Sequence, residues 1–306
     1  MQQQRRVTSV SLGSSQRDKR VETELLGHPF IIERVGTNGD YKEFCRRLRD
    51  LDGAVDAIGL GGINLALIAG SRRYPIRDAM RAVAGLRTPV VDGSGIKASW
   101  ERHILETVLP QCVGSLSGRR VLLVSSVDRY AMAEALSKAS ANVVYGDLMF
   151  GLGLPIPLRG LTTINVLAAL LLPIITRLPF QWLYPTGERQ DAITPKFRRW
   201  YQWAEVICGD FHLIRRFMPD DLSRKVVFTN TVTRDDADAL RARKVDWLIT
   251  STPDMQGRSF ATNVLEAVVV TLSGKRPEQL TSGEYLHWMQ RAGFTPRVER
   301  LTNSSA

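Results

Sequence analysis

Short β-branched runs alternate with amphipathic stretches along most of the chain. The runs "VTSVSLG", "FIIERVG", "VDAIGLG", "TPVVDG", "RVLLVSS", "NVVYGD", "EVICGD", "KVVFTN" and "WLITST" each read as a strand ending in Gly, Ser, Thr, Asn or Asp. Strands alternating with helical segments predict parallel sheets built from crossover units. Small polar residues at successive strand ends predict loops that line ligand sites, because open α/β sheets bind ligands at the carboxyl ends of their strands. Between the runs, Tyr41–Leu51 places Phe44, Leu48 and Leu51 at helical spacing with charges elsewhere, the pattern of a helix covering a sheet. Thr233 followed by Asp236 opens "RDDADALRARK" as a capped helix, acidic in its first turn and basic in its last. The expected fold is α/β, with two Rossmann-like parallel-sheet layers and crossover helices. The seam "GSLSG" at Gly114–Gly118 divides an N-terminal α/β domain on the substrate side (1–114) from a Rossmann-like nucleotide-binding domain (115–274). A C-terminal helix and polar tail (275–306) follow.

One segment departs from this rhythm. Leu161–Thr176, "LTTINVLAALLLPIIT", is apolar over about sixteen residues, short of the about twenty that a bilayer core requires. Pro173 would kink it, so a buried helix is expected. The apolar neighbours "FGLGLPIPL" and "LPFQWLYP" leave open a membrane surface contact through 161–183.

Composition changes the picture in two respects. With 306 residues, 44% of them hydrophobic, the chain can bury a large core, which excludes wholesale disorder. A formal net charge of +10 favours anionic partners, here a small anionic substrate, but the arginines are dispersed and form no basic tail, which argues against nucleic acid. Cys45, Cys112 and Cys208 are widely spaced, and His28, His103, His212 and His287 form no ligand pair, so no metal site is expected. Unpaired thiols and an N-terminus lacking the apolar core of a signal peptide predict a cytoplasmic protein. Homo-oligomerisation is left open.

Candidate chemistry gathers at the strand ends. "VLLVSSVDRYAMAEALSKASANVVYGD", Val121–Asp147, has the strand, turn, helix and second strand of a dinucleotide-binding unit but none of its glycines. Ser125, Ser126, Asp128 and Arg129 occupy the turn, where hydroxyls and backbone amides at a helix start suit a pyrophosphate. Asp147 follows about twenty residues on, as a ribose-binding acid would, and favours NAD over NADP as cofactor. An N-cap at Ser126 or Asp128 explains the same turn without a ligand. Upstream, "VDAIGLGGIN" carries Gly61 and Gly62 after a strand, but Gly70 and Pro75 interrupt the helix that should follow. "SLGSSQRDKR" offers Ser14 and Arg17 to an anionic substrate. "VVDGSGIK" offers Ser94 to the substrate and places Asp92 and Lys97 close enough for proton transfer. "STPDMQGRSFATN" contributes Ser251, Thr252, Arg258, Ser259, Thr262 and Asn263 ahead of an apolar helix. No serine-hydrolase elbow or Walker loop appears.

Several stretches together, among them "VSLGSS.RD.RVETELLG", "GLGGI", "TPVVDGSG", "VLLVS.VDR..MAEAL", "LPF.WLYPTGE" and "GRSFATNV", resemble bacterial quinate or shikimate 5-dehydrogenases over nearly the whole chain. The resemblance implies an N-terminal domain for a hydroxylated carboxylate, NAD(P) on a following Rossmann domain, and a lysine–aspartate pair for proton transfer. Those roles fall on Lys97 and Asp92. The leading expectation is thus an NAD(P)-dependent oxidoreductase acting on a small hydroxylated carboxylate. Two others stay open: a non-redox α/β enzyme or transferase acting on a phosphorylated or nucleotide-linked compound, and a membrane-proximal binding protein.

Overall fold

Two sheets stand with a shared layer of helices between them. The computed structural model describes residues 4–179, 193–255 and 258–302. Strand β1 (Arg5–Ser11) runs parallel to β3 (His28–Gly36), with β2 (Lys19–Leu25) antiparallel outside it, and a left-handed turn at Leu26–Gly27 joins β2 to β3. The first connection is therefore a hairpin strand, not the crossover helix expected. Helix α1 (Tyr41–Leu51) starts at Asp40, whose carboxylate accepts from the Lys42 and Glu43 amides. It buries Phe44, Cys45 and Leu48. After β4 (Ala57–Gly61) the chain makes an antiparallel ribbon, β5 (Ala66–Ala69) and β6 (Arg72–Pro75), then α2 (Arg77–Val83) and the short edge strand β7 (Val90–Val91). The sheet order is β2-β3-β1-β4-β7.

A helical run leads to the second sheet: α3 (Ser94–Ile96), a π-helical stretch Lys97–Glu101, α4 (Arg102–Thr107) and α5 (Leu109–Val113). Then come β8 (Arg120–Leu123), α6 (Tyr130–Lys138), β9 (Asn142–Tyr145) and α7 (Leu161–Ile175). They are followed by α8 (Arg198–Trp203), β10 (Val206–Gly209), α9 (Phe211–Phe217), β11 (Val226–Thr229), α10 (Arg234–Ala242) and β12 (Trp247–Thr250). Thr233 and Asp236 form the capping box that starts α10. A small ribbon, β13 (Asp254–Met255) with β14 (Arg258–Ser259), precedes α11 (Thr262–Ser273), α12 (Ser282–Arg291) and β15 (Arg297–Arg300). The second sheet has the order β15-β12-β11-β10-β8-β9, parallel except for β15, so the expected polar tail supplies an antiparallel edge strand.

The core follows the two-residue period of the strands. Val121 and Leu123 face inward with Val7, Phe30 and Ala57 of the first sheet, onto Trp100, Ile104, Leu136 and Val268. Leu122 and Val124 face outward, beneath Tyr201, Phe211 and Leu240. Val10, Ile58 and Leu60 meet α1 and α2 on the opposite outer face. Helix α11 follows a strand of the second sheet yet packs on β1 and β4 of the first. There the Asn263 amide donates to Ser9 Oγ at 2.7 Å. A Cβ at Gly59 would lie 3.0 Å from Asn263, so this glycine lets a helix approach rather than a phosphate.

Helix α7 differs from expectation in its surroundings. It runs through Pro173 and ends at Thr176, whose amide and hydroxyl both donate to the Leu172 carbonyl. Only Ile164, Ala168 and Leu172 are buried, so it covers the core with one face and leaves the other open. Among the described residues, no helix is long and apolar enough to cross a membrane.

Candidate functional site

In each sheet the chain reverses direction across one strand. β1 is flanked by β3 and β4, and β8 by β9 and β10. Ligands of open α/β sheets bind outside the carboxyl ends of strands at such switch points. Here the two switch points meet across a seam. Asn64, after β4, donates its amide to Asp128, after β8, at 2.7 Å. Arg17, after β1, lies 3.1 Å from the His212 ring in α9, and Trp100 Nε1 donates to the Ser251 carbonyl after β12 at 2.7 Å.

Buried ions hold the centre. Arg129 is 1% exposed; its Nε donates to Glu101, which is equally buried, at 3.0 Å, and Nη1 donates to Asp128. Ser251 Oγ donates to the other Glu101 oxygen at 3.0 Å. Among the described residues, Arg129 Nη2 has no hydrogen-bond partner, although it is buried. It faces Asp210 Oδ2 across 3.8 Å, and Asp210, at the end of β10, keeps 26% of its side chain exposed. Asp210 also caps α9 and accepts from Asn230 at 3.1 Å.

Lys97 does not bond to Asp92. Its Nζ donates to Asp128 at 2.7 Å and to Asn64 Oδ1 at 3.1 Å. Burial works to lower the Lys97 pKa, but Asp128 and, less, Asp92 together offset it and the net shift is upward. Burial likewise opposes charge on Asp128, and Lys97 and Arg129 overcome it, holding that carboxyl well below its ordinary range. The pair is thus an ion pair in which neither member is poised to exchange a proton near neutral pH. Asp92 is instead bound locally, accepting from the Leu65 and Ser94 amides at 2.6 and 3.0 Å.

The turn proposed for a pyrophosphate is closed from within. Asp147 Oδ1 accepts from the Ser126 and Val127 amides at 2.8 and 3.0 Å, and Oδ2 accepts from the Ser126 hydroxyl at 2.6 Å. Burial raises the Asp147 pKa, and these bonds offset part of that rise. The β5 ribbon lies over the turn, with the Ile68 amide donating to the Val127 carbonyl at 3.0 Å. The amides meant for phosphate serve Asp147, the acid meant for ribose serves the turn, and Ser125 sits in the same closed loop. These residues do not fit a dinucleotide.

The remaining expected substrate residues divide by role. Ser14 caps a single turn at Ser15–Arg17. A Cβ on Gly61 would lie 2.7 Å from the Ser11 side chain, so this glycine serves close packing, while Gly62 takes a left-handed conformation and serves the turn. Ser94 starts the helical run bearing Lys97. The side chains of Arg258 and Ser259 lie outside the described residues, as does most of "LPFQWLYP". Glu101, Asp210, Asn230 and Glu266 were not anticipated. Glu266 is a lone acid within the apolar run "VLEAVVV", a signal that a buried carboxylate with fixed partners is present. It accepts from the Gly93 and Gly95 amides and the Tyr285 hydroxyl.

Residues 95–301 match the family described as Domain of unknown function (DUF8754). The chain belongs to the DUF8754 family. Its residues 6–92, the first sheet, match a second domain of unknown function, DUF8753, and no curated protein matches. Among solved structures, this DUF8754 chain is similar to an arabinose-binding protein of Geobacillus stearothermophilus, with TM-score 0.43 and 9% identity over 96% of this chain and 97% of that one. A glucose-galactose-binding protein of the same organism gives TM-score 0.40 and 8% identity over 100% of both chains. An NAD-dependent malic enzyme of Thermotoga maritima gives TM-score 0.38 and 13% identity over 95% of this chain and 85% of that one.

These findings correct the expectation of a quinate or shikimate dehydrogenase. The family models that match are DUF8754 and DUF8753. The assignment as an NAD(P)-dependent oxidoreductase falls with it, and with it the catalytic roles given to Lys97 and Asp92. The seam accords with that correction, because Asp147 and Lys97 are both committed to internal partners.

Proposed function

We propose that this chain binds a small, uncharged, multiply hydroxylated compound in the seam between its two sheets. One observation carries the reading: the buried Arg129 Nη2, without a hydrogen-bond partner among the described residues, faces the part-exposed Asp210 carboxylate across 3.8 Å. An alcohol is the group that accepts from one side and donates to the other, so a ligand hydroxyl satisfies both at once. An ionised carboxylate has no proton to donate to Asp210, and a ligand's negative charge placed there would be repelled by it. The charges around the seam point the same way, since the four acids Asp92, Glu101, Asp128 and Asp210 outnumber the three cations Arg17, Lys97 and Arg129. The small-molecule partner expected from the sequence is retained, and its expected negative charge is not. Asn64, part-exposed at the same seam, supplies a further polar contact for a ring hydroxyl.

Thermal melting with a panel of monosaccharides and cyclic polyols, beside their carboxylated counterparts, tests the proposal. A ligand at about 100 times its Kd stabilises the native state by about 2.7 kcal/mol, which raises the midpoint by several degrees. The expected result is such a rise with a neutral polyol, lost in Asp210→Ala. A rise confined to carboxylates, or none with any compound, overturns it.

A further inference from the structure

Most of the large apolar side chains that the described residues leave exposed fall in one short part of the chain. Val166, Leu170 and Ile174 in α7 are 54%, 64% and 65% exposed, at intervals of four residues that place them along one stripe. Leu152, Leu154 and Ile156, in the segment just before the helix, are exposed as well. The opposite face of α7 is fixed to the body of the protein by Ile164, Ala168 and Leu172, by the Tyr130 hydroxyl donating to Asn165, and by the Arg77 amide donating to the Thr176 carbonyl. The stripe is therefore held out rigidly. Exposed apolar surface gathered in this way marks a contact site rather than ordinary surface variation.

Charge decides what meets it. From Leu148 to Pro179 there is no acidic residue, and the exposed Arg159 and Arg177 bracket the two ends of the helix. We propose that the exposed face of α7, with the preceding apolar segment, docks on an anionic bilayer surface. The helix of about 22 Å lies along the interface, its aliphatic side chains among the acyl chains and its flanking arginines at acidic headgroups. It does not cross, being fifteen residues long. A second copy of the chain is a poorer occupant. Antiparallel pairing through this stripe sets Arg159 of one copy against Arg177 of the other, and parallel pairing sets each arginine against itself. Each copy also carries a formal net charge of +10.

Vesicle cosedimentation tests this, with vesicles of phosphatidylcholine alone and of phosphatidylcholine mixed with phosphatidylglycerol. The full chain is expected to pellet with the mixed vesicles at low salt, less with phosphatidylcholine, and less again as salt rises. Leu170→Glu with Ile174→Glu should weaken pelleting about tenfold or more, and Arg177→Glu should reduce its salt dependence. Since these side chains are exposed, melting temperature should hold and shows that the variants fold. Failure of the full chain to pellet with the mixed vesicles overturns the proposal, as does undiminished pelleting of the double variant. A dimer in solution that the double variant dissociates, without vesicle binding, assigns the face to a second copy and overturns it too.

Discussion

The Asp147 carboxylate closes on Ser126, taking both its amide and its hydroxyl, with the Val127 amide as a further donor. Parallel pairing of β8 with β9 sets Leu123 beside Tyr145, so the chain two to three residues beyond each strand must meet. Replacing Asp147 with alanine leaves two backbone donors without their acceptor. The expected loss is about 3 kcal/mol of folding stability, given about 1–3 kcal/mol for each buried donor left unpaired. Urea denaturation measures it. A change within experimental scatter would show that the turn holds its shape without the acid.

Glu101 and Arg129 should behave as a unit. Glu101→Leu alone removes the acceptor of Arg129 Nε and leaves the buried guanidinium only Asp128 and the more distant Asp210; it is expected to cost about 3 kcal/mol, whereas apolar replacement of both members recovers much of that loss. Arg129→Met with Glu101→Leu is the pair to compare, because Lys97 and Asn64 continue to satisfy Asp128. A double-mutant cycle from urea melts gives the coupling. Additive losses would contradict the buried pairing.

What the sequence revealed and what it hid follow from range. Strands, their polar ends and the capped helix at Thr233 depend on neighbouring residues and were legible, as was the α/β class with parallel sheets. Lys97 was paired with Asp92 because they are adjacent in the chain, but the structure bonds it to Asp128 of the other sheet. The spacing from the Ser126 turn to Asp147 is the same whether the acid awaits a ribose or closes the turn, so spacing alone does not distinguish the two. β2 and β15 were missed because "KRVETEL" and "RVER" carry few apolar positions, as edge strands do. α7 was expected to be buried because apolar composition counts side chains without saying which face they occupy.

Lys97 stays charged because of Asp128. Burial pulls its pKa down, and Asp128, with a smaller contribution from Asp92, more than offsets it. In Asp128→Asn the first influence is left largely unopposed, with Asp92 nearby but bound to the Leu65 and Ser94 amides. The Lys97 pKa should then fall below its ordinary 10.5. An NMR titration of the Lys97 side chain in both proteins checks the direction. An unchanged or higher pKa in the variant would mean that another carboxylate holds the charge.

Glu266 should make the fold pH-dependent around neutrality. Burial, and then the nearby Asp92, raise its pKa from 4.5 to about 7. A raised acid favours the protonated native state, so its contribution is fully present below about pH 4.5 and is lost as pH rises through about 7. The slope is about 1.4 kcal/mol per pH unit, or about 3 kcal/mol across the window. Glu266→Gln removes the titration but turns one acceptor toward the Gly93 or Gly95 amide into a donor, so it should be less stable at low pH and flatter with pH. Urea midpoints from pH 4 to 8 compare the two proteins. Parallel curves would show that Glu266 titrates alike in the folded and unfolded protein, despite the Gly93 and Gly95 amides bonded to it.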